Sequence, residues 1–267
     1  MYYTLDSLVW ALLARDDKDH ETRVPRIMEL EIKNPFSSIA DDIEEERRLR
    51  LLYKNTKASF GVKYLDDASP INSNDLVLVT SRTGTGKSEF VANMAQINAR
   101  AGKRVHFFAL EAEAQEVLRR IKYKILADLF YSNSDRYFIT SKPRYAAWVR
   151  GEQECLLSRF EAAADEILKR DFQSLFTRYR TGDFTADDFV KDVLLIKEET
   201  DLIIVDHLHY FDFDDENENR AMKTAIKKIR DIALLIGKPV VLVAHVRKAD
   251  RRLKILIPET EDVHGSS

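Results

Sequence analysis

Only one cysteine, Cys155, occurs in 267 residues, which excludes an internal disulfide and a cysteine-rich zinc site and fits a reducing compartment. No apolar run reaches the roughly 18 residues needed to cross a bilayer. Met1 to Arg15 also lacks the basic flank and apolar stretch of a secretory leader. The expectation is a soluble, cytoplasmic protein without a membrane partner. An excess of either charge is missing too: 42 Lys and Arg stand against 45 Asp and Glu, a formal charge of −3. Any contact with nucleic acid must then come from local basic patches. There is no internal repeat and no low-complexity tract. What is present, 45% hydrophobic residues, suffices for one substantial core and a small accessory segment.

Residues 1–60 read as a small N-terminal helical or linker segment and 61–267 as the main domain. The first part holds an apolar turn at Leu8–Leu13, a proline-punctuated stretch from Val24 to Phe36, and a charged run from Asp41 to Lys54. That run, DDIEEERRLRLLYK, sets Ile43, Leu49, Leu51 and Leu52 on a loose helical period, and its acidic start and basic end complement the helix dipole. It reads as a docking or linker helix, or as a solvated helix of the main domain.

Beyond Gly61 the pattern changes to short apolar runs separated by helical stretches: DLVLVT (75–80), RVHFFAL (104–110), QSLFTRY (173–179), DLIIVD (201–206) and KPVVLVAH (238–245). The runs predict buried strands. Near-continuous apolar strands alternating with helices predict an α/β fold with a mainly parallel sheet covered by helices on both faces. Residues 113–170 form a long, mostly helical excursion, broken near Ser132–Arg144 by a polar, proline-containing loop.

Directly after DLVLVT comes Ser81-Arg82-Thr83-Gly84-Thr85-Gly86-Lys87-Ser88, followed by the helical EFVANMAQINAR. Strand, glycine loop and helix are what phosphate binding requires. Glycines let backbone N–H groups turn inward on the phosphates, Lys87 reaches the β/γ oxygens, and the Ser88 hydroxyl ligates Mg²⁺. The cofactor expected is ATP or a close relative with Mg²⁺. The motif departs from its usual form at Ser81, which replaces the first glycine.

Two carboxylates complete the expected site. Asp206 closes the strand LIIVD, where an aspartate can hold the Mg²⁺ shell through water. Glu111 ends VHFFAL, from which it could polarise the attacking water or simply cap a helix starting near Ala112, and Glu113 could take the catalytic role instead. In a parallel sheet all of these emerge at the carboxyl edge, where ligands of open α/β sheets bind. His245, at the end of VVLVA, is poised there to sense the γ-phosphate, though a lone histidine after a strand is more often structural.

In this order the parts resemble the motor domain of the DnaB-like replicative helicases, including the phage-type primase-helicases, over about residues 60–267. The similarity runs from Gly61 and Leu65-Asp66, through the phosphate loop and ALEAEAQEVLRR, to IIVDHLHYF, ENRAMKTAIKKIRDIALLIGKPVVLVAHVRK and the terminal DVHGSS. The resemblance implies a RecA-like P-loop NTPase that couples ATP hydrolysis to translocation on single-stranded DNA in replication, as a homo-oligomer in a hexameric ring. It implies Glu111 as catalytic base, Arg120 near the nucleotide base, and His245 as the phage-type residue where bacterial members carry glutamine. Family members continue beyond the DVHGSS-like segment into strands bearing a basic finger; here the chain stops, so it is a fragment, receives the finger from elsewhere, or is a poor hexameric motor.

The stretch from Arg247 to Lys254 carries Arg247, Lys248, Arg251, Arg252 and Lys254, five basic residues in eight. In a ring of such domains it would face the central channel and give sequence-independent, salt-dependent contact with DNA phosphates; the plain alternative is a solvated basic loop. No aromatic residues interleave it, so base stacking is not expected. Two other readings of the same parts are a recombinase or clock-type ATPase and an ATP-binding assembly module without unwinding.

Overall fold

The computed structural model describes residues 38–40, 42–55, 58–133, 141–213 and 218–245. It divides into two units, Met1–Lys57 and Ala58–Ser267. Of the first, the helix Ile43–Asn55 is described, within the run where the charge pattern predicts it. Ion pairs one turn apart, such as Arg47 with Glu44 at 2.8 Å, line its exposed face.

The second unit is built on five strands: β1 (Leu76–Ser81), β2 (Val105–Ala109), β3 (Leu175–Tyr179), β4 (Leu202–Asp206) and β5 (Val240–His245). Each falls within one or two residues of its predicted run. They pair in the order β1-β5-β4-β2-β3, every pairing parallel. This is the RecA-like P-loop ATPase arrangement with helices laid on the sheet.

Side-chain alternation divides the sheet between two cores. Val105, Phe107 and Ala109 of β2, Leu202 and Ile204 of β4, and Val241 and Val243 of β5 point to one face. There they meet Val91, Met94 and Ala95 of the helix Lys87–Arg100 and Ile121 and Ile125 of the helix Glu116–Ser132. Phe108, Ile203, Val205, Val240, Leu242 and Ala244 point to the other face, against Phe189 and Val193 of the helix Ala186–Ile196 and Ile229 and Ile232 of the helix Glu218–Ile236. Burial on both faces is why these strands read as continuous apolar runs rather than as alternating ones.

The expectation of five buried strands needs one correction. β4 is buried at every residue, but β1 and β3 are the sheet edges, and Phe176 and Leu78 are partly exposed. An apolar run shows that a strand is covered, but its place in the sheet depends on pairing with strands far away in sequence. The polar loop near Ser132–Arg144 and the patch 247–254 fall largely or wholly outside the described residues; helices Tyr145–Val149, Glu154–Leu157 and Glu161–Asp171 complete the predicted helical excursion. Among the described residues no helix is long and apolar enough to cross a membrane.

Because Ile204 is wholly buried in the central strand, Ile204→Ala should destabilise the protein by about 2–5 kcal/mol. Leu195→Ala, on the exposed side of the helix Ala186–Ile196, should stay within about 0.5 kcal/mol. Urea-denaturation midpoints of the two variants check the contrast.

Candidate active site

The phosphate loop leaves β1 at Ser81 and enters the helix Lys87–Arg100 at Lys87. Gly84 and Gly86 take φ of 79° and 95°, left-handed conformations that an L side chain adopts only with strain. Ser81 stands where the motif usually has glycine, yet it has ordinary strand geometry, pairing with His245 of β5. Its hydroxyl bonds the Thr85 hydroxyl, and Thr85 Oγ1 donates to the Arg82 carbonyl at 2.7 Å, so two side chains clasp the loop from within. Arg82, Thr83, Gly84, Thr85 and Gly86 are exposed.

Lys87 lies beneath that loop, and its Nζ donates to the carbonyls of Ser81 and Arg82, each at 3.1 Å. Burial lowers its pKa, while the carboxylates of Glu111 and Asp206 oppose the shift. An ammonium held between carbonyls and two carboxylates is a fixed positive charge at the mouth of the loop.

Asp206 ends β4 opposite Ala109 of β2. Its carbonyl accepts from both the Leu110 amide (2.7 Å) and the Glu111 amide (3.2 Å), which ties the two acidic residues to one point on the sheet edge. Its side chain bonds Ser88, and burial, with a further push from Glu111, raises its pKa to about 6. One carboxylate oxygen, Oδ1, is buried with no hydrogen-bond partner. An orphaned carboxylate oxygen beside a serine hydroxyl is a hard oxygen pair of the kind Mg²⁺ takes, so the residues fit the cation and the phosphates it accompanies.

The expectation that Glu111 might cap a helix from Ala112 is overturned: the helix begins at Glu116, and Gln115 before it sits at a strained φ of 65°. Glu113 turns away to Arg119, 3.5 Å from it, whereas Glu111 is exposed at the carboxyl edge close to His207 and His245. Arg120 is engaged by Glu116 at 2.6 Å and by Glu89, which anchors it between two helices beside the site.

Residue-by-residue reading of the sequence did not single out His207 and His209. His207 is fully buried, its ring centroid is 3.9 Å from that of His245, and its Nε2 has no hydrogen-bond partner. Burial, together with His245 and His209, pushes its pKa down to about 3. The signal available in the sequence was the pair of histidines immediately after the β4 aspartate in DHLH. The basic residues Arg247, Lys248, Arg251, Arg252 and Lys254 follow β5 but lie outside the described residues.

A model of the AAA domain family matches residues 66–251. No curated protein matches the chain. Among solved structures, an ATPase domain of a DnaB-like helicase superposes with a TM-score of 0.63 at 11% identity, covering 86% of this chain and 78% of that one. A DnaB-like replicative helicase, solved in a study of its interactions with primase, gives a TM-score of 0.64 at 13% identity. That match covers 88% of this chain, which spans 54% of the helicase. These likenesses establish the fold.

The raised pKa of Asp206 makes a prediction with a definite sign. Between its ordinary value of 3.8 and about 6 the folded chain binds more protons at this carboxyl than the unfolded chain does. Its contribution to stability therefore falls as pH rises through that interval. His207, depressed to about 3, acts oppositely and gains stability as pH rises toward its ordinary value of 6.5. Asp206→Asn removes only the first effect. It should stabilise the nucleotide-free protein by up to about 3 kcal/mol above pH 6, with the gain shrinking toward pH 4. Thermal melts of both proteins across pH 4–8 check this.

Proposed function

Since the chain belongs to the AAA domain family, we propose that it is an ATP-hydrolysing motor that couples turnover to movement on single-stranded DNA, assembled as a ring of like subunits. The observation that carries the reading is the meeting of Lys87, Ser88, Asp206, Glu111 and His245 at one edge of a sheet with the fold of replicative-helicase ATPase domains. Fold alone does not fix function. The added support is the chemistry of the side chains.

In this reading the loop amides and Lys87 bind the β- and γ-phosphates, and Lys87 neutralises charge that grows on the transferring group. Ser88 and Asp206 would hold Mg²⁺, which when bound screens the phosphate oxygens and polarises them toward attack. Glu111 orients a water and accepts its proton; its position, fixed by the amide bond to the Asp206 carbonyl, keeps the carboxylate beyond the loop and not against it. His245 pairs with Ser81 across the β1–β5 ladder, so a change at the phosphate loop reaches the start of the 247–254 segment through a single strand end. That segment would contact DNA phosphates, and such contacts weaken with salt.

Steady-state ATP hydrolysis, with and without single-stranded DNA at two salt concentrations, tests the proposal. DNA should stimulate turnover, and the stimulation should fade at high salt. Lys87→Ala should lose at least about a hundredfold in turnover, the scale of removing one charge-stabilising donor. Glu111→Gln should keep nucleotide binding while losing turnover to a similar extent. Full hydrolysis in Lys87→Ala would sink the active-site assignment, and nucleotide-dependent assembly without turnover would instead mark an ATP-binding assembly module.

A further inference from the structure

Lys87, Ser88 and Asp206 account for phosphate and Mg²⁺ binding, but a second group of side chains at the same edge is left over. Glu111, His207 and His245 each offer a ligand atom, and these atoms all lie within 4.8 Å of one another. They come from three different places: the turn after β2, the residue after β4, and the end of β5. The registers that align those strand ends bring the three together. His207 is fully buried, and its Nε2, which finds no partner in the protein, belongs to this cluster. A buried nitrogen left without a hydrogen bond is costly, and few native structures tolerate one without a reason. His209 lies at the margin, its ring centroid 5.0 Å from that of His207 and 5.4 Å from that of His245.

We propose that Glu111, His207 and His245 form a binding site for a borderline transition-metal ion, Zn²⁺ foremost, that competes with catalysis at the active site. Two imidazoles and one carboxylate make a three-ligand set that leaves a coordination position open, as in zinc sites of the two-histidine, one-glutamate type. Bonds of about 2.0–2.1 Å to one tetrahedral ion require ligand atoms some 3.4 Å apart, so the cluster must close by roughly an ångström. Glu111 is exposed and can swing to make that closure, while the buried His207 supplies the fixed point. Hard Mg²⁺ prefers oxygen ligands and would stay with Ser88 and Asp206, so the two sites separate by ligand chemistry.

An ion held there takes the Glu111 carboxylate, the group read above as orienting the attacking water, and ties His245 down as well. Zn²⁺ would then arrest turnover without displacing the phosphate loop. This last consequence rests on the proposed ATPase reading, whereas metal binding itself does not.

The test uses the full chain, free of nucleotide. Zn²⁺ is titrated in competition with a chromophoric chelator, and Co²⁺ serves as a spectroscopic substitute whose visible d–d bands report tetrahedral coordination. Wild type and Cys155→Ser should bind alike, with tetrahedral Co²⁺ bands. Glu111→Gln and His245→Gln, neither of which disturbs a fully buried residue, should each weaken binding at least about tenfold. His207→Gln should do the same, with circular dichroism checking that it folds. Unchanged affinity in the Glu111 and His245 variants, or absence of tetrahedral Co²⁺ bands in wild type, overturns the site. In the turnover assay Zn²⁺ should inhibit, and a chelator should restore activity. If the chain hydrolyses no ATP at all, the functional reading fails, and the metal titration still decides the site.

Discussion

The arrangement depends on a backbone interaction: the Asp206 carbonyl accepts hydrogen bonds from the amides of both Leu110 and Glu111. Parallel pairing sets Ala109 opposite Asp206, and this clasp extends the pairing one step past the end of β2. The neighbouring ladder sets Ser81 opposite His245. With the strands all running one way, their last residues open at a common edge, and the chain's polar and ionisable groups collect there because the interior of the sheet cannot take them. A shift of one residue in either register would turn every side chain of the strand to the opposite core and carry the site with it.

Collecting charge at that edge has a thermodynamic consequence. Asp206 is desolvated without a full set of partners, so its carboxyl holds its proton to about pH 6, and Lys87 beside it is pulled in the opposite direction by its own burial. His207 resists protonation for the same reason. Each group is less stable as an ion than it would be in water, and each is poised to gain from a ligand of complementary charge. The two-sided apolar core is what holds them in place. Val105, Phe107, Leu202 and Ile204 on one face and Phe108, Ile203 and Val205 on the other leave the strand ends little freedom to relax away from the strain.

The outlines of this protein were legible in local sequence. Continuous apolar runs marked all five strands because strands buried on both faces need apolar residues at every position, and SRTGTGKS marked the phosphate loop because its conformation demands glycine at fixed places. Less legible was anything that depends on which strands are neighbours. The sequence offered no means to separate the edge strands β1 and β3 from the buried β4, since both kinds carry apolar runs. Glu111 could be read as a helix cap until the helix was seen to begin five residues later, and Arg120 was assigned toward a nucleotide base although the structure ties it to Glu116 and Glu89.

Sequence by itself determined the α/β alternation, the phosphate-binding loop, and the acidic and basic residues at the ends of strands, because each follows from periodicity or from a conformation that few residues can adopt. Tertiary structure alone decided that Glu111, His207 and His245 share a space less than 5 Å across, that Asp206 keeps an unpaired oxygen, and that Ser81 clasps its loop through Thr85. The reason is separation along the chain: these residues lie up to 134 positions apart, from Glu111 to His245, and only the order and register of strand pairing bring them together.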